Sequence, residues 1–242
     1  MKRVRQGTRA IVWMLVLVAI GFALYALVRS RPHDVPWRPL DLADPVGMFT
    51  GRKLAGLADG FPKCRQLLER AGVRYQPLAP LVSGQCGYAD GVRLTRGGAR
   101  TIRFAPRDVG TSCPVAAAEV MWEWQVVQPA ARRYFKSEVV RIEHFGSYNC
   151  RRMYGRSKGD WSEHAAANAL DVAGFVLADG RRVTVVGDWK GNAERAAFLR
   201  DVRDGACELF STVLSPDYNA AHRDHFHLDQ ARRGAMGWRA CR

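Results

Sequence analysis

The chain has 242 residues, 48% of them hydrophobic and 25% charged, a balance that excludes a wholly disordered polymer and fits one domain with appendages. A domain of this length can bury a sizeable core without depending on staples. The net charge of +14 favours anionic partners, and its scatter through pairs such as Arg132-Arg133, Arg151-Arg152 and Arg181-Arg182 also fits a solvated surface.

Residues 1–9 form a basic tail with Lys2, Arg3, Arg5 and Arg9. Residues 10–28, AIVWMLVLVAIGFALYALV, carry no charge. At ~1.5 Å per residue a helix of this length spans roughly the hydrocarbon thickness of a bilayer. The basic excess on its N-terminal side orients that end to the cytoplasm. The expectation is a single-pass signal anchor in the cytoplasmic (inner) membrane, with the rest facing the periplasm or cell exterior. A cleaved signal peptide is the competing reading, but its apolar core is shorter, ~7–15 residues, and ends at a small-x-small site.

Residues 29–51 contain Pro32, Pro36, Pro39 and Pro45, which predict an extended spacer. The domain proper is expected over 52–242. Residues 61–72 read as a short helix ending at Gly72. Residues 92–104 alternate around glycines, as in a hairpin. Ser112-Cys113-Pro114 starts a helix through Ala116, Val120, Trp124 and Val127 towards Pro129. Strands follow at 139–145, 168–177 and 182–186, the last two joined by a turn at Asp179-Gly180. Asn192 caps a long helix with Phe198, Val202, Leu209 and Val213 on one side. Residues 225–228 form a short final strand. The predicted fold is α+β, an antiparallel sheet with flanking helices. Six cysteines, all beyond the anchor, read as three disulfides in an oxidising compartment. Cys207 with Cys241 is the expected pair, because it ties the C-terminus to a helix.

Of the six histidines, three fall in HRDHFHLD. On a strand His225 and His227 share a face while Phe226 points into the core, a pattern suited to a metal site. His164 and Asp171 lie seven apart in SEHAAANALDVAGF, with small residues between that allow close backbone approach. Asp171 sits in an apolar run, where a carboxylate is costly unless it is paired or bound to metal. Two imidazoles and one carboxylate leave a fourth position for water, as in catalytic zinc sites. Non-haem iron takes a similar ligand set, but its triad usually begins H-x-D/E.

The segments SEHAAANALDVAGF, PDYNAAHRDHFHLD and FGSYNCR resemble the bacterial extensin-like C-terminal domain family, over about residues 36–242. Plant extensins are proline-rich repeats, whereas this chain has 11 prolines and no such repeat. The family is similar, in the motifs S-x-H-x(6)-D and H-x-H, to the zinc D-alanyl-D-alanine carboxypeptidase, lysostaphin and hedgehog peptidase group. The resemblance implies Zn2+ held by His164, Asp171 and His227, with His225 in a supporting position and Ser162 before the first ligand. It implies Asp224 as general base, although residues 224 and 227 fall on opposite faces of a regular strand; if the strand is regular, His225 takes that role. Relatives hold substrate through an arginine near here, which points to Arg151 or Arg152, and Tyr148 is expected to line the pocket.

The function expected on this basis is a membrane-anchored zinc hydrolase of peptide bonds in peptidoglycan stems. The alternative is a non-catalytic protein that binds cell-wall peptide on the same fold. Nucleic-acid binding rests on charge alone and requires a cytoplasmic exposure that the anchor opposes.

Overall fold

The computed structural model describes residues 2–234 and 239–242. It opens on helix α1 (Lys2–Ser30). Within it Gln6–Ser30 is long and apolar enough to cross a bilayer. Its apolar side chains from Ile11 to Val28 are exposed, with none of the other described residues over them. The helix overruns the predicted 10–28 segment at both ends.

The residues that follow do not form the free-standing spacer expected. Asp34 Oδ1 accepts from the Met48 amide and Lys53 Nζ donates to the Val35 carbonyl. Leu40 and Leu42 enter the hydrophobic core. Apart from a single 3-10 turn over Pro32–Asp34 the segment up to Phe49 is irregular, and burying two leucines against the domain outweighs leaving it in solvent. Helix α2 (Thr50–Ala55) then runs across the expected boundary at residue 52.

Helix α3 (Phe61–Arg70) buries Cys64, Leu67 and Leu68, one stripe at helical spacing. Strands β1 (Val73–Pro77), β2 (Leu81–Ser83), β3 (Cys86–Tyr88), β4 (Gly91–Gly98), β5 (Arg103–Ala105) and β6 (Gly110–Ser112) follow. Of the hairpin expected over 92–104 the structure shows an isolated antiparallel bridge, Gly97 to Arg100, and β4 does not pair with β5. Strand β4 pairs with β1 and β6, and β5 leaves for another sheet. The turn between them is held inward by Arg100, which ties it to the next helix.

That helix, α4 (Cys113–Trp122), is buried on every side. A π turn over Glu123–Val127 leads into α5 (Gln128–Phe135). The helical path was expected to stop near Pro129. It continues because a proline at the start of α5, directly after the wider turn, costs no interior hydrogen bond. Strand β7 (Val139–Gly146), strand β8 (Ala169–Leu177) and strand β9 (Arg182–Thr184) come next. Gly180, at φ 87°, makes the turn between β8 and β9. Val185 and Val186, expected in that strand, instead begin helix α6 (Val185–Asp188), where the Thr184 hydroxyl accepts from the Gly187 amide. Helix α7 (Ala193–Cys207) starts at Asn192, whose side-chain oxygen accepts from the amides of Glu194 and Arg195. Leu209 lies beyond this helix and Val213 is in strand β10 (Thr212–Leu214). Both are buried, so their spacing reflects the core rather than the helix. Strand β11 (Phe226–Asp229) is followed by β12 (Ala240–Cys241), so it is not the last.

The main sheet has the order β12-β10-β11-β8-β7-β5, with β9 also on β8. Its pairs are antiparallel except β5 with β7 and β10 with β12. A smaller sheet runs β1-β4-β6, and β2 pairs with β3. The α+β class therefore holds. Phe175 of β8 packs against Trp122 and Phe198, and the Trp122 indole donates to the Val202 carbonyl at 2.8 Å, which joins sheet, α4 and α7. The disulfides are Cys64–Cys113, Cys86–Cys150 and the expected Cys207–Cys241. Three such bonds fit a domain outside the reducing cytoplasm.

Inside this core one cation meets two carboxylates. Buried Arg100 donates from Nε to Glu123 at 2.7 Å and from Nη2 to Glu119 at 3.1 Å. Glu123 also accepts from the amides of Thr101 and Ile102. Glu119 Oε2 has no partner. Burial, with Glu123 nearby and against the pull of Arg100, pushes Glu119 up to about 8, so it is protonated at neutral pH. A raised carboxyl stabilises the fold fully below its unfolded value and loses that contribution as pH rises through the folded value. Urea unfolding from about pH 5 to about pH 9 should therefore show wild type losing stability relative to Glu119→Gln. Parallel pH profiles for the two would contradict the assignment.

Candidate metal centre

Strands β8 and β11 pair so that Asp171 and His227 are direct cross-strand partners. Residues opposite each other on an antiparallel pair project from the same face. His225, just before β11, shares that face, whereas Phe226 is fully buried on the other and packs against Trp189. His164 arrives from a 3-10 turn, Glu163–Ala166, that precedes β8. Ser162 caps this turn, its hydroxyl accepting from the His164 amide. Ala167 takes a left-handed conformation and returns the chain into the strand. Ala165, Ala167 and Ala169 are buried, so the small residues do permit the close approach anticipated for them.

Three donor atoms converge. His164 Nε2 lies 3.1 Å from Asp171 Oδ1 and 3.1 Å from His227 Nδ1, and His227 Nδ1 lies 3.0 Å from Asp171 Oδ1. The other nitrogen of each ring is committed. His164 Nδ1–H donates to the Ser147 carbonyl at 2.5 Å, and His227 Nε2–H donates to Asp229 Oδ2 at 3.0 Å. These outer bonds fix the tautomers, so two imidazole lone pairs and a carboxylate oxygen point at one another. Such a triangle repels itself unless positive charge sits within it. Zinc–donor lengths of about 2.0–2.1 Å imply tetrahedral edges of about 3.3 Å, close to the edges found here. The three residues therefore fit a cation and leave the outward side open.

The chain answers the same imbalance with a proton. Burial opposes a charge on His227, yet hydrogen bonds to Asp171 and Asp229 push it up to about 9. Burial would likewise raise the Asp171 carboxyl, but the His164 and His227 hydrogen bonds hold it well below the usual carboxylate range.

Around the triangle is a pocket of 190 Å³, lined by Arg151, Met153, Tyr154, Ser162, His222 and His225 among others. His225 Nε2 lies 3.6 Å from Asp171 Oδ1, and its Nδ1–H donates to Asp224 Oδ1 at 2.8 Å. Asp224 thus stands behind His225 rather than within the triangle. Arg151 lines the pocket, whereas Arg152 donates to the Gly159 carbonyl and lies over the Trp161 ring. Tyr148 does not line this pocket; it faces a neighbouring cleft and packs edge-on against Tyr88. Two participants escaped the sequence reading. Asp229 follows His227 by two, so the period-two rule that paired His225 with His227 would have found it. His222 donates from Nδ1–H to Asn219 at 2.8 Å and faces His225 and His227. Burial and those two imidazoles lower it to about 4, so it forms a neutral wall.

Comparison with known families gives one match over residues 62–242, to a family model described as "Extensin-like protein C-terminus". No curated protein and no solved structure matches the chain.

Zinc, which suits mixed nitrogen and oxygen donors, is expected to bind the purified full chain at about one ion per molecule. Free zinc at ~100 times its dissociation constant should stabilise the protein by about 2.7 kcal/mol, visible as a rise in melting temperature. In His227→Ala and Asp171→Ala the rise should vanish. Equal zinc content in wild type and both variants would dismiss the triangle as a metal centre.

Proposed function

The chain belongs to the extensin-like protein C-terminus family, and from that premise we propose that it is a membrane-anchored, zinc-dependent hydrolase of peptide bonds in peptidoglycan stem peptides. The observation that carries this reading is the open triangle of His164 Nε2, Asp171 Oδ1 and His227 Nδ1 at the floor of a pocket. The likeness to the zinc carboxypeptidase, lysostaphin and hedgehog group belongs to the same proposal. It is supported by the convergence of S-x-H-x(6)-D and H-x-H on one point. Location in the cytoplasmic membrane, with the domain outside, is supported by the apolar α1 and the three disulfides.

His164, Asp171 and His227 would hold the zinc, which when bound would supply a Lewis acid able to activate water near neutral pH and polarise a carbonyl. Ser147 and Asp229 hold the two imidazoles in the tautomers this requires. His225 is assigned as general base. Its Nε2 faces the triangle as a free lone pair, because Nδ1–H is spent on Asp224. It takes a proton from the attacking water and returns it to the leaving amine. Asp224 orients the ring and stabilises the imidazolium formed in that step. Arg151, in the pocket wall, pairs its guanidinium with a carboxylate of the peptide. Ser162 fixes the turn that delivers His164 and contributes to the same wall.

Digestion of purified peptidoglycan, read by mass spectrometry, is the test. The zinc-loaded protein should release new peptide fragments. His225→Ala should slow this by about 10²–10⁴-fold with zinc content unchanged, and Asp224→Asn by less. Pelleting with the wall without new fragments would overturn hydrolysis in favour of a wall-binding protein.

A further inference from the structure

A second, larger cleft of 760 Å³ adjoins the pocket. It runs between strands β4 and β6 of the small sheet and the end of β7, and Phe145 links it to the first pocket through a ring contact with His225. Phe145 lines the cleft, and its ring stands edge-on to His225 with centroids 5.6 Å apart. Ser147 lines it too, while its carbonyl accepts from His164. An extended ligand leaving the metal centre past Phe145 enters this cleft.

Two residues that line the cleft, Arg93 and His144, each carry a buried polar atom with no hydrogen-bond partner among the described residues. Arg93 Nε is buried without a partner. His144 is more than nine-tenths buried, its Nε2–H donates to the Arg107 carbonyl at 2.9 Å, and its Nδ1 has no partner. Burial lowers His144 and keeps it neutral, so Nδ1 is an acceptor that wants a donor. Buried polar groups left unpaired are rare in folded proteins and call for a missing partner. The cleft's charged residues are Arg93, Arg107 and Asp108, a cationic balance. A guanidinium matches a carboxylate, with two parallel N–H donors for its two oxygens. Tyr88 and Tyr148 supply flat walls for an extended chain.

We infer that this cleft is a second recognition site, in which Arg93 holds a carboxylate of the acidic peptide whose scissile end lies in the first pocket. The inference rests on the peptide-hydrolase reading above. It also gives Tyr148 a substrate-binding place, one cleft removed from the expected one.

The test uses the full zinc-loaded chain and two soluble disaccharide-peptide fragments of peptidoglycan, one with free stem carboxylates and one with these amidated. Calorimetric titration should show the free acid binding more tightly. Arg93→Gln should weaken the free acid by about ten-fold or more and bring it level with the amide, and Arg93→Lys should restore part of the difference. Unchanged near-ultraviolet circular dichroism in both variants checks that the fold is intact. Equal binding of the two fragments by wild type, equal weakening of both by Arg93→Gln, or no binding of either overturns the inference. Cleavage that ignores Arg93 overturns it while leaving hydrolysis standing. Arg93-dependent binding without cleavage does the reverse.

Discussion

The pairing of His227 opposite Asp171 across β11 and β8 is the constraint on which the rest of the centre depends. A shift of one residue in this register would turn His225 and His227 into the core and Phe226 out to solvent. Phe226, wholly buried against Trp189, makes that shift expensive. The hydrophobic face of β11 thus holds the polar face in place. Around this pair the remaining groups are placed by neighbours of the same two strands. Asp229 is two residues along β11, and the turn bearing His164 is the lead-in to β8.

Charge compensation follows one rule in two places, with opposite results. At Arg100 one guanidinium serves two buried carboxylates, so Glu119 keeps its proton and the cluster closes on itself. At the triangle, one carboxylate faces two imidazoles whose protons are already committed outward, and the cluster stays open to a cation. Deep burial with no route to solvent suits the first to structure. A pocket over the second suits it to chemistry. The Cys86–Cys150 bond supports the open case, since it holds the backbone directly beside Arg151.

Much of this was legible in the sequence. The alternation in His225-Phe226-His227, the small residues after His164, the Asn192 cap and the Cys207–Cys241 pair all express local rules that the fold respects. What stayed hidden depends on partners distant in sequence. Alternation in β4 cannot say that its neighbours are β1 and β6 rather than the next stretch of chain. Leu209 and Val213 continue a helical spacing only because the core continues past the helix. Tyr148 is two residues past the end of β7, yet which of two clefts it faces is settled by Tyr88. The prolines of 32–45 marked irregular chain correctly, but irregular chain can still be packed, and Leu40 and Leu42 decide that it is.

That packing sets the length of a leash. Helix α1 ends at Ser30, and Asp34 is already fastened to the Met48 amide. Four residue steps, at most ~3.6 Å each, allow roughly 14 Å of slack. On the proposed reading, with α1 spanning a bilayer, the folded body would not roam through the thickness of a wall. Its working zone would then be the layer next to the lipid, with its reach set by its own dimensions. On that proposed reading, material far from the membrane would have to come to it.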